Sequence, residues 1–410
     1  MPLPENVRNY RRRAGLTQEE LADAAGHSVG VVRKIEQGGS ARVETLHDLA
    51  RALGVPTSAL FETAAPEPVR AREGDTVRLA ELRKALMPPV GLVDIFVEPI
   101  PVDLIALQRH IDDAHALYHV DRYDSVARTL PGILRESESA VAISDPGSRT
   151  RRKALAVRAG ALLVTGKYLT QVRRYDLAYH ALSRGIVDAR EAEQTLTAAT
   201  GVVGLSWLLL RQDRFDEAES LAASTAAEIE PRMSQATPGQ LAAWGELCQR
   251  VASAALRNNR PEVAKDARRM AATAASALDM EHVNFREHWT TFGPATAEAK
   301  AIEDLSLAGD ARGVLRRADD GPVNARALKR LGRPSPNNWF RHRLDVAKAH
   351  ATLGSHQDAI DELVVIKAQA PEWLSHQRMA GYIVRDVLSK RKRTLTREMR
   401  DMASHLDVSG

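Results

Sequence analysis

The stretch Leu16-Thr17-Gln18-Glu19-Glu20-Leu21-Ala22-Asp23-Ala24-Ala25-Gly26-His27-Ser28-Val29-Gly30-Val31-Val32-Arg33-Lys34-Ile35-Glu36-Gln37-Gly38 decides how the N-terminal part of the chain folds. The Thr17 hydroxyl stands where it can cap a new helix, and Glu20 can reach back to the Thr17 amide. This capping box directly precedes apolar Leu21, Ala22 and Ala25. Gly26 supplies the tight turn that ends the helix, and Ser28 is the N-cap expected for a following one that runs through Gln37. On that helix Val32 and Ile35 turn inward, while Val29, Gly30, Val31, Arg33 and Lys34 lie around the other faces. Gly38 and Gly39 stop it. It is the candidate reading helix.

Outward from this pair, residues 4–14 read as a first helix with Val7 and Tyr10 inward and Arg8, Arg11, Arg12 and Arg13 on the outer face, ended by Gly15. Val43, Leu46, Leu49, Ala50 and Leu53 give the period of a fourth helix, stopped by Gly54 and Pro56, and residues 57–61 add a short closing helix. Residues 1–63 carry as many Asp and Glu as Lys and Arg, so this domain is formally neutral. Binding to DNA must then rest on cations of the first and third helices sharing one face, because phosphate neutralisation supplies most of the affinity.

These residues resemble the lambda-repressor and Cro type of helix-turn-helix domain. The resemblance is carried by Leu16 through Ala22, Ala25-Gly26, Ile35-Glu36-Gln37-Gly38, and Leu46 through Ala52-Leu53-Gly54-Val55-Pro56. It implies five short helices with the second and third as the reading unit. It further implies phosphate contacts from Gln18, Gln37 and the loop to Arg42, with Arg12, Thr17, Ser28 and Ser40 also at the DNA. Val29, Gly30, Val31, Arg33 and Lys34 would face the major groove. Where that family often has polar residues at the start of the reading helix, this chain has Val29 and Gly30, which cannot form bidentate bonds to base edges. Val29 is instead expected to touch a thymine methyl, leaving Arg33 to read guanine. One such module grips too little DNA for tight binding, so a homodimer on half-sites about one helical turn apart is expected.

The 410 residues suggest two or three domains with ample material for a large core. The 57 Lys and Arg against 53 Asp and Glu leave a charge of +4, too slight to imply nucleic acid by itself. Cys248, the lone cysteine, cannot form an internal disulfide, and no apolar run approaches the ~18–20 residues of a membrane span or signal-peptide core. A reducing cytoplasm is the expected location, on the nucleoid when an operator is bound. Abundant Ala, Leu, Arg and Glu with 4% aromatics favour an all-α fold.

The expected organisation is a DNA-binding domain over 1–63, a linker with one short helix over 64–102, and a helical body over 103–410. Ala64-Ala65-Pro66-Glu67-Pro68 reads as a semi-stiff linker, and residues 76–87 as a helix with Val77, Leu79, Leu82 and Leu86 apolar. A Pro-rich passage over 88–101 is expected to pack irregularly. In the body one signature recurs: Tyr123-Asp124-Ser125-Val126-Ala127, Tyr175-Asp176-Leu177-Ala178, Phe215-Asp216-Glu217-Ala218, Pro261-Glu262-Val263-Ala264 and Gln357-Asp358-Ala359-Ile360. This resembles the tetratricopeptide repeat, in which a small residue lets paired helices approach and stacked pairs form a concave superhelix. The spacing is irregular and exceeds that family's period, so about five or six degenerate pairs are expected. The layout also resembles actinobacterial regulators, through Thr291-Phe292-Gly293-Pro294 and the segment from Trp339 to Ala347, and by architecture alone the peptide-sensing regulators of other Gram-positive bacteria.

Such a body suggests a peptide or small-molecule effector in the concave face, with Trp207, Trp244, Trp289 and Trp339 lining it and Asn284, Asn337 and Asn338 holding an amide. The competing readings are tryptophans that fill the core between helix pairs, and a dimerisation and protein-docking scaffold without a small ligand. His115 and His119 stand at i and i+4 but lack a partnering Glu and a third ligand, so they read as a surface pair. His282 and His288 are out of helical phase. With no phosphate-binding loop and no dinucleotide glycine run, neither an enzyme nor a cofactor or metal is expected. Lys390-Arg391-Lys392-Arg393, the densest cationic run, reads as a solvated helix surface or an added phosphate contact.

Overall fold

The computed structural model describes residues 3–13, 16–53, 55, 57–61, 73–89, 100–284, 288–390 and 395–408. The chain divides into two compact units, Met1–Val77 and Arg78–Gly410, here called the head and the body. Among the described residues it is all-α apart from one small hairpin.

The head contains α1 (Leu3–Arg13), α2 (Gln18–Ala25), α3 (Val29–Glu36), α4 (Val43–Ala52) and a 3-10 turn, Thr57–Phe61. Both halves of the capping box form: Thr17 Oγ1 accepts from the Glu20 amide, and Glu20 accepts from the Thr17 amide at 2.7 Å. Gly26 ends α2 at φ 69°, a left-handed conformation that only glycine adopts without strain. Val7, Leu21, Ala22, Val32, Ile35, Leu49 and Leu60 form a small closed core, as the spacing predicts. Three expectations need correction. Ser28 occupies the cap position of α3 but its side chain makes no capping bond, and α3 ends at Glu36 with Gln37 as its C-cap. Val43 is 73% exposed, because as the first residue of α4 it precedes the turn that faces the core. The segments 62–72 and 90–99, where the linker and the Pro-rich passage were expected, lie outside the described residues.

Helix α5 (Glu73–Leu86) crosses the division, and its Leu82, Ala85 and Leu86 belong to the body's core. There follow α6 (Leu104–His119), α7 (Tyr123–Ala142), α8 (Arg149–Gln171), α9 (Tyr175–Glu191), α10 (Thr195–Arg211), α11 (Phe215–Glu228), α12 (Pro238–Arg257) and α13 (Pro261–Leu278). Strands β1 (His282–Asn284) and β2 (His288–Phe292) interrupt the series. The chain continues with α14 (Pro294–Ala308), α15 (Ala311–Asp320), α16 (Ala325–Leu331), α17 (Pro336–Thr352) and α18 (His356–Gln369). It closes with α19 (Pro371–Ser375), α20 (Arg378–Lys390) and α21 (Arg397–His405).

One turn recurs through the body. Asp121, Arg173, Glu193, Asp213 and Asn259 all have φ between 56° and 62°. In each case the next amide donates to the carbonyl five residues back, as Arg122 does to Leu117, Arg174 to Leu169 and Arg214 to Leu209. This is the six-to-one bond that satisfies an otherwise orphaned carbonyl at a helix end. Gly309 and Gly354 occupy the same place at two further junctions. Three residues into each following helix stands a small buried side chain: Val126, Ala178, Ala198, Ala218, Ala264, Val314 or Ala359. The recurring signature is therefore this junction, with its register set by the helix start. That makes Val126 rather than Ala127 the residue in register, and starts the last repeat at His356.

The antiparallel β1–β2 hairpin was not expected from the sequence. It seats Phe292, fully buried, against α12, where a Cβ at Gly245 would collide with the ring. His282 and His288 lie in its two strands, so helical phase does not govern them. His115 and His119 are buried rather than on the surface, their rings stacked 6.4 Å apart. Burial, and then nearby Lys167, holds the His115 pKa well below its ordinary value. Finally, α19 returns to the first junction of the body. The Glu372 amide donates to Asp121 Oδ2 at 2.8 Å, and the Asp124 amide donates to Glu372 Oε2 at 3.0 Å. Arg173 also donates to the His376 carbonyl at 2.7 Å.

Candidate nucleic-acid interface

Glu36, at the end of α3, is 3% exposed and organises the head. Arg11 binds its carboxylate with two nitrogens, at 2.7 and 3.2 Å, and Gln18 donates to Oε2 at 2.7 Å. Arg8 donates to the Glu36 carbonyl at 2.9 Å and lies 3.7 Å from its carboxylate. Burial alone would raise the Glu36 pKa, but the hydrogen bonds from Arg11 and Gln18 and the neighbouring positive charges outweigh it and hold it below the usual range. The first helix thus does not spread Arg8 and Arg11 over an outer face. It turns them onto the end of α3.

The remaining head charges follow a simple pattern. Asp48 takes Arg51 at 2.8 Å and His27 at 3.0 Å. Arg33, Lys34 and Arg42 are exposed and form no ion pair with any described residue. Two of these cations are on α3 and the third stands at the N-cap position of α4, so among the described residues the unneutralised positive charge of the head is concentrated on α3 and the loop after it.

The other sequence-predicted contacts fall around them. Ser28, Gly30, Gln37 and Ser40 are exposed, and Thr17 is exposed with its hydroxyl engaged in the capping box. Val29 and Val31 are half-buried against the head's core, which leaves only part of each for a base edge. Gln18 has one N–H committed to Glu36, which fixes its direction. The Arg12 side chain lies outside the described residues. At the end of α3, the Gly39 amide donates to the Lys34 carbonyl at 2.8 Å, and a Cβ on Gly39 would come within 2.9 Å of that oxygen. The double glycine is therefore needed for the chain to turn this tightly behind Lys34.

The body holds a cavity of about 650 Å³ between α10, α12, α14, α17 and α20. A smaller recess of about 70 Å³ shares Trp207, Arg250, Lys300 and Arg341 with it. Trp207 lines both, while Asn337 and Asn338 line the recess, where the Asn338 amide nitrogen is buried without a hydrogen-bond partner. Trp244 is 3% exposed and belongs to the core, so it is not a lining residue. Trp339 packs at the edge of two core clusters, beside His342 and under the Arg343 guanidinium. The side chains of Asn284 and Trp289, and residues 391–394 of the cationic run, lie outside the described residues. Sequence reasoning missed the cavity's Arg211, Arg250, Lys300 and Arg341, which come from four helices spread over 130 positions.

Among the described residues no group of three or more His, Cys, Asp or Glu is placed to hold a metal ion, and no helix is long and apolar enough to cross a membrane. Residues 7–60 match the helix-turn-helix family, of the lambda-repressor type. That match spans the whole arrangement around Glu36 and suggests a DNA-binding transcription regulator. No curated protein matches the chain.

Proposed function

We propose that this chain is a sequence-specific transcription regulator that binds an inverted-repeat operator as a homodimer, with α3 in the major groove of each half-site. One observation carries the reading. Of the head's described Lys and Arg side chains, those left without an acidic partner are Arg33, Lys34 and Arg42, on the reading helix and the loop behind it. Arg33 reads guanine by a two-pronged contact, while Lys34, Gln37, Ser40 and Arg42 hold the flanking phosphates. The Glu36 cluster ties α1 and α2 to α3, so the reading helix is presented on a rigid support.

The body, a degenerate helical-repeat scaffold of the tetratricopeptide kind, receives an effector that changes operator affinity. The half-open cavity supports this over a docking scaffold without a ligand, since a surface used only for protein docking needs no concavity of about 650 Å³. The coupling requires the effector to prefer one arrangement of the regulator. Electrophoretic shift of the full-length protein on the DNA upstream of its own gene tests the DNA reading. Wild type should shift it with salt-sensitive affinity, and Arg33→Ala should lose the shift with helical content intact. A variant that binds as tightly and with the same preference would sink the assignment of α3.

A further inference from the structure

The body's cavity carries a charge imbalance that its own residues do not settle. Its lining contributes eight Lys or Arg side chains against three acids, Asp213, Glu303 and Asp386. Some cations are accounted for: Arg257 and Lys300 share Glu303 at 2.7 and 2.8 Å, and Lys390 takes Asp386 at 2.8 Å. Arg250 reaches buried Glu246 at 3.3 Å. Arg341 and Lys348 make hydrogen bonds to neutral groups, the Gln377 side-chain oxygen at 2.8 Å and the Ser306 carbonyl at 3.0 Å, while Arg341 also feels the carboxylates of Glu303 and Asp345 without an ion pair to either. Arg211 lies over the Trp207 ring, 4.6 Å from its centre, and its Nη2 is buried without a hydrogen-bond partner.

Guanidiniums that line one cavity and repel one another where water is partly excluded are costly unless an anion joins them. Consistent with this, the Arg211 pKa is drawn down to about 10, first by burial and then by the positive charge of Arg341. The planar fork of arginine matches the paired oxygens of phosphate and carboxylate. Beside these cations the wall turns apolar, through Trp207, Leu210, Met379 and Ile383.

We propose that this cavity binds a small, multiply charged oxyanion, bearing phosphate groups or several carboxylates next to an apolar or planar moiety. The anion sits between Arg211 and Arg341, and the remainder lies against Trp207 and Met379. A volume of about 650 Å³ admits a molecule of nucleotide size and excludes a duplex or a folded partner. The proposal names the ligand class for the effector reading above and rests on it only for the ligand's regulatory role, because binding is measured without DNA.

The test is isothermal titration calorimetry of the full-length protein with inorganic pyrophosphate, ADP, citrate and uncharged adenosine, together with an oligo-glutamate peptide. At least one of the small anions should bind and adenosine should not. Pyrophosphate and ADP above citrate assigns phosphate as the recognised group, and the reverse assigns carboxylate. Arg211→Gln should weaken the bound anion about tenfold or more, the loss expected for one hydrogen bond to a charged group. Its ligand-free melting temperature should equal or exceed that of wild type, because a repelling charge is gone; a merely structural arginine would lower it. If Arg341→Gln fails to fold, Arg211→Gln and exposed Arg378→Ala still decide the matter. Absence of binding by every small anion, binding by the peptide alone, or equal affinity in the variants overturns the proposal. Loss of the DNA shift in Arg33→Ala is unaffected by any of these results.

Discussion

Head and body handle positive charge in opposite ways. In the head one buried carboxylate, Glu36, gathers Arg8, Arg11 and Gln18 inward, leaving Arg33, Lys34 and Arg42 unpaired at the surface. In the body the unmatched cations line a cavity shared by Arg211 and Arg341, neither of which forms an ion pair with a described acid. Pairing in the first case builds a rigid support for a surface that meets anions outside. Lack of pairing in the second makes a receptacle. Net charge, formally zero over residues 1–63 and +4 over the chain, reports neither arrangement.

The sharpest way to break this contrast is Glu36→Ala. Removing the acid strands a mostly buried Arg11 and an unpartnered Gln18, which costs about 3–5 kcal/mol, a large fraction of a small domain's stability. Amide hydrogen exchange over residues 16–53 should rise steeply while the core of the body stays protected.

The pH dependence of the two regions should differ in sign. Burial opposes ionisation of Glu36, but its hydrogen bonds prevail and lower its pKa, so its contribution to the head is present at neutral pH and lost as acid passes through that lowered value. In the body Asp121 is raised to about 7, first by burial. It binds its proton more tightly folded than unfolded, so its contribution is full below the ordinary carboxylate pKa of about 4 and is lost as pH rises through 7. Exchange followed from neutral pH down to about 3 and up to pH 8, each corrected for the intrinsic rate, should then show the head loosening at the acid end and residues 104–123 at the alkaline end. The same sign in both regions would remove these two carboxyls as the cause.

A smaller effect separates paired from unpaired surface cations. Arg33→Ala should cost about 1–3 kcal/mol of operator binding by fluorescence anisotropy, whereas Arg51→Ala, already on Asp48, should change it less than about twofold. Lys34→Ala should weaken all sequences alike and lower the salt slope by roughly one per subunit. Smallest of all, Glu193→Gly should stabilise the body by about 0.5 kcal/mol in urea denaturation, since relief of a left-handed conformation exceeds the added freedom of the unfolded chain.

What was legible in the sequence was local. The Thr17–Glu20 box, the glycine ends of α2 and α3 and the small residue after the body junctions at Ala178, Ala218, Ala264 and Ala359 are short-range patterns and stand where the spacing places them, whereas the first is Val126 rather than Ala127 and those at Ala198 and Val314 were not legible. The inward turn of Arg11 was not legible, because its partner Glu36 is 25 residues away and an acid between Ile35 and Gln37 reads as solvated. The recurring junction was half hidden. Its left-handed position is held by Asp, Arg, Glu or Asn at five places and by glycine at only two, so a search for glycines passes over most of it. The cavity could not be read at all, since α10, α12, α14 and α17 contribute one or two cations each and only tertiary packing brings them together.

The return of α19 to the first junction gives the body a property that an open stack of helix pairs lacks. A linear stack exposes two terminal faces, each of which can fray without disturbing the middle. Here Asp121 binds the backbone of α19 and Glu372 that of α7, so a helix near the start of the body and one near its end hold each other in place. A loosened end must release both at once. Truncation from the C-terminus at or before Pro371 should accordingly destabilise α6 and α7, more than 200 residues upstream, instead of only shortening the stack.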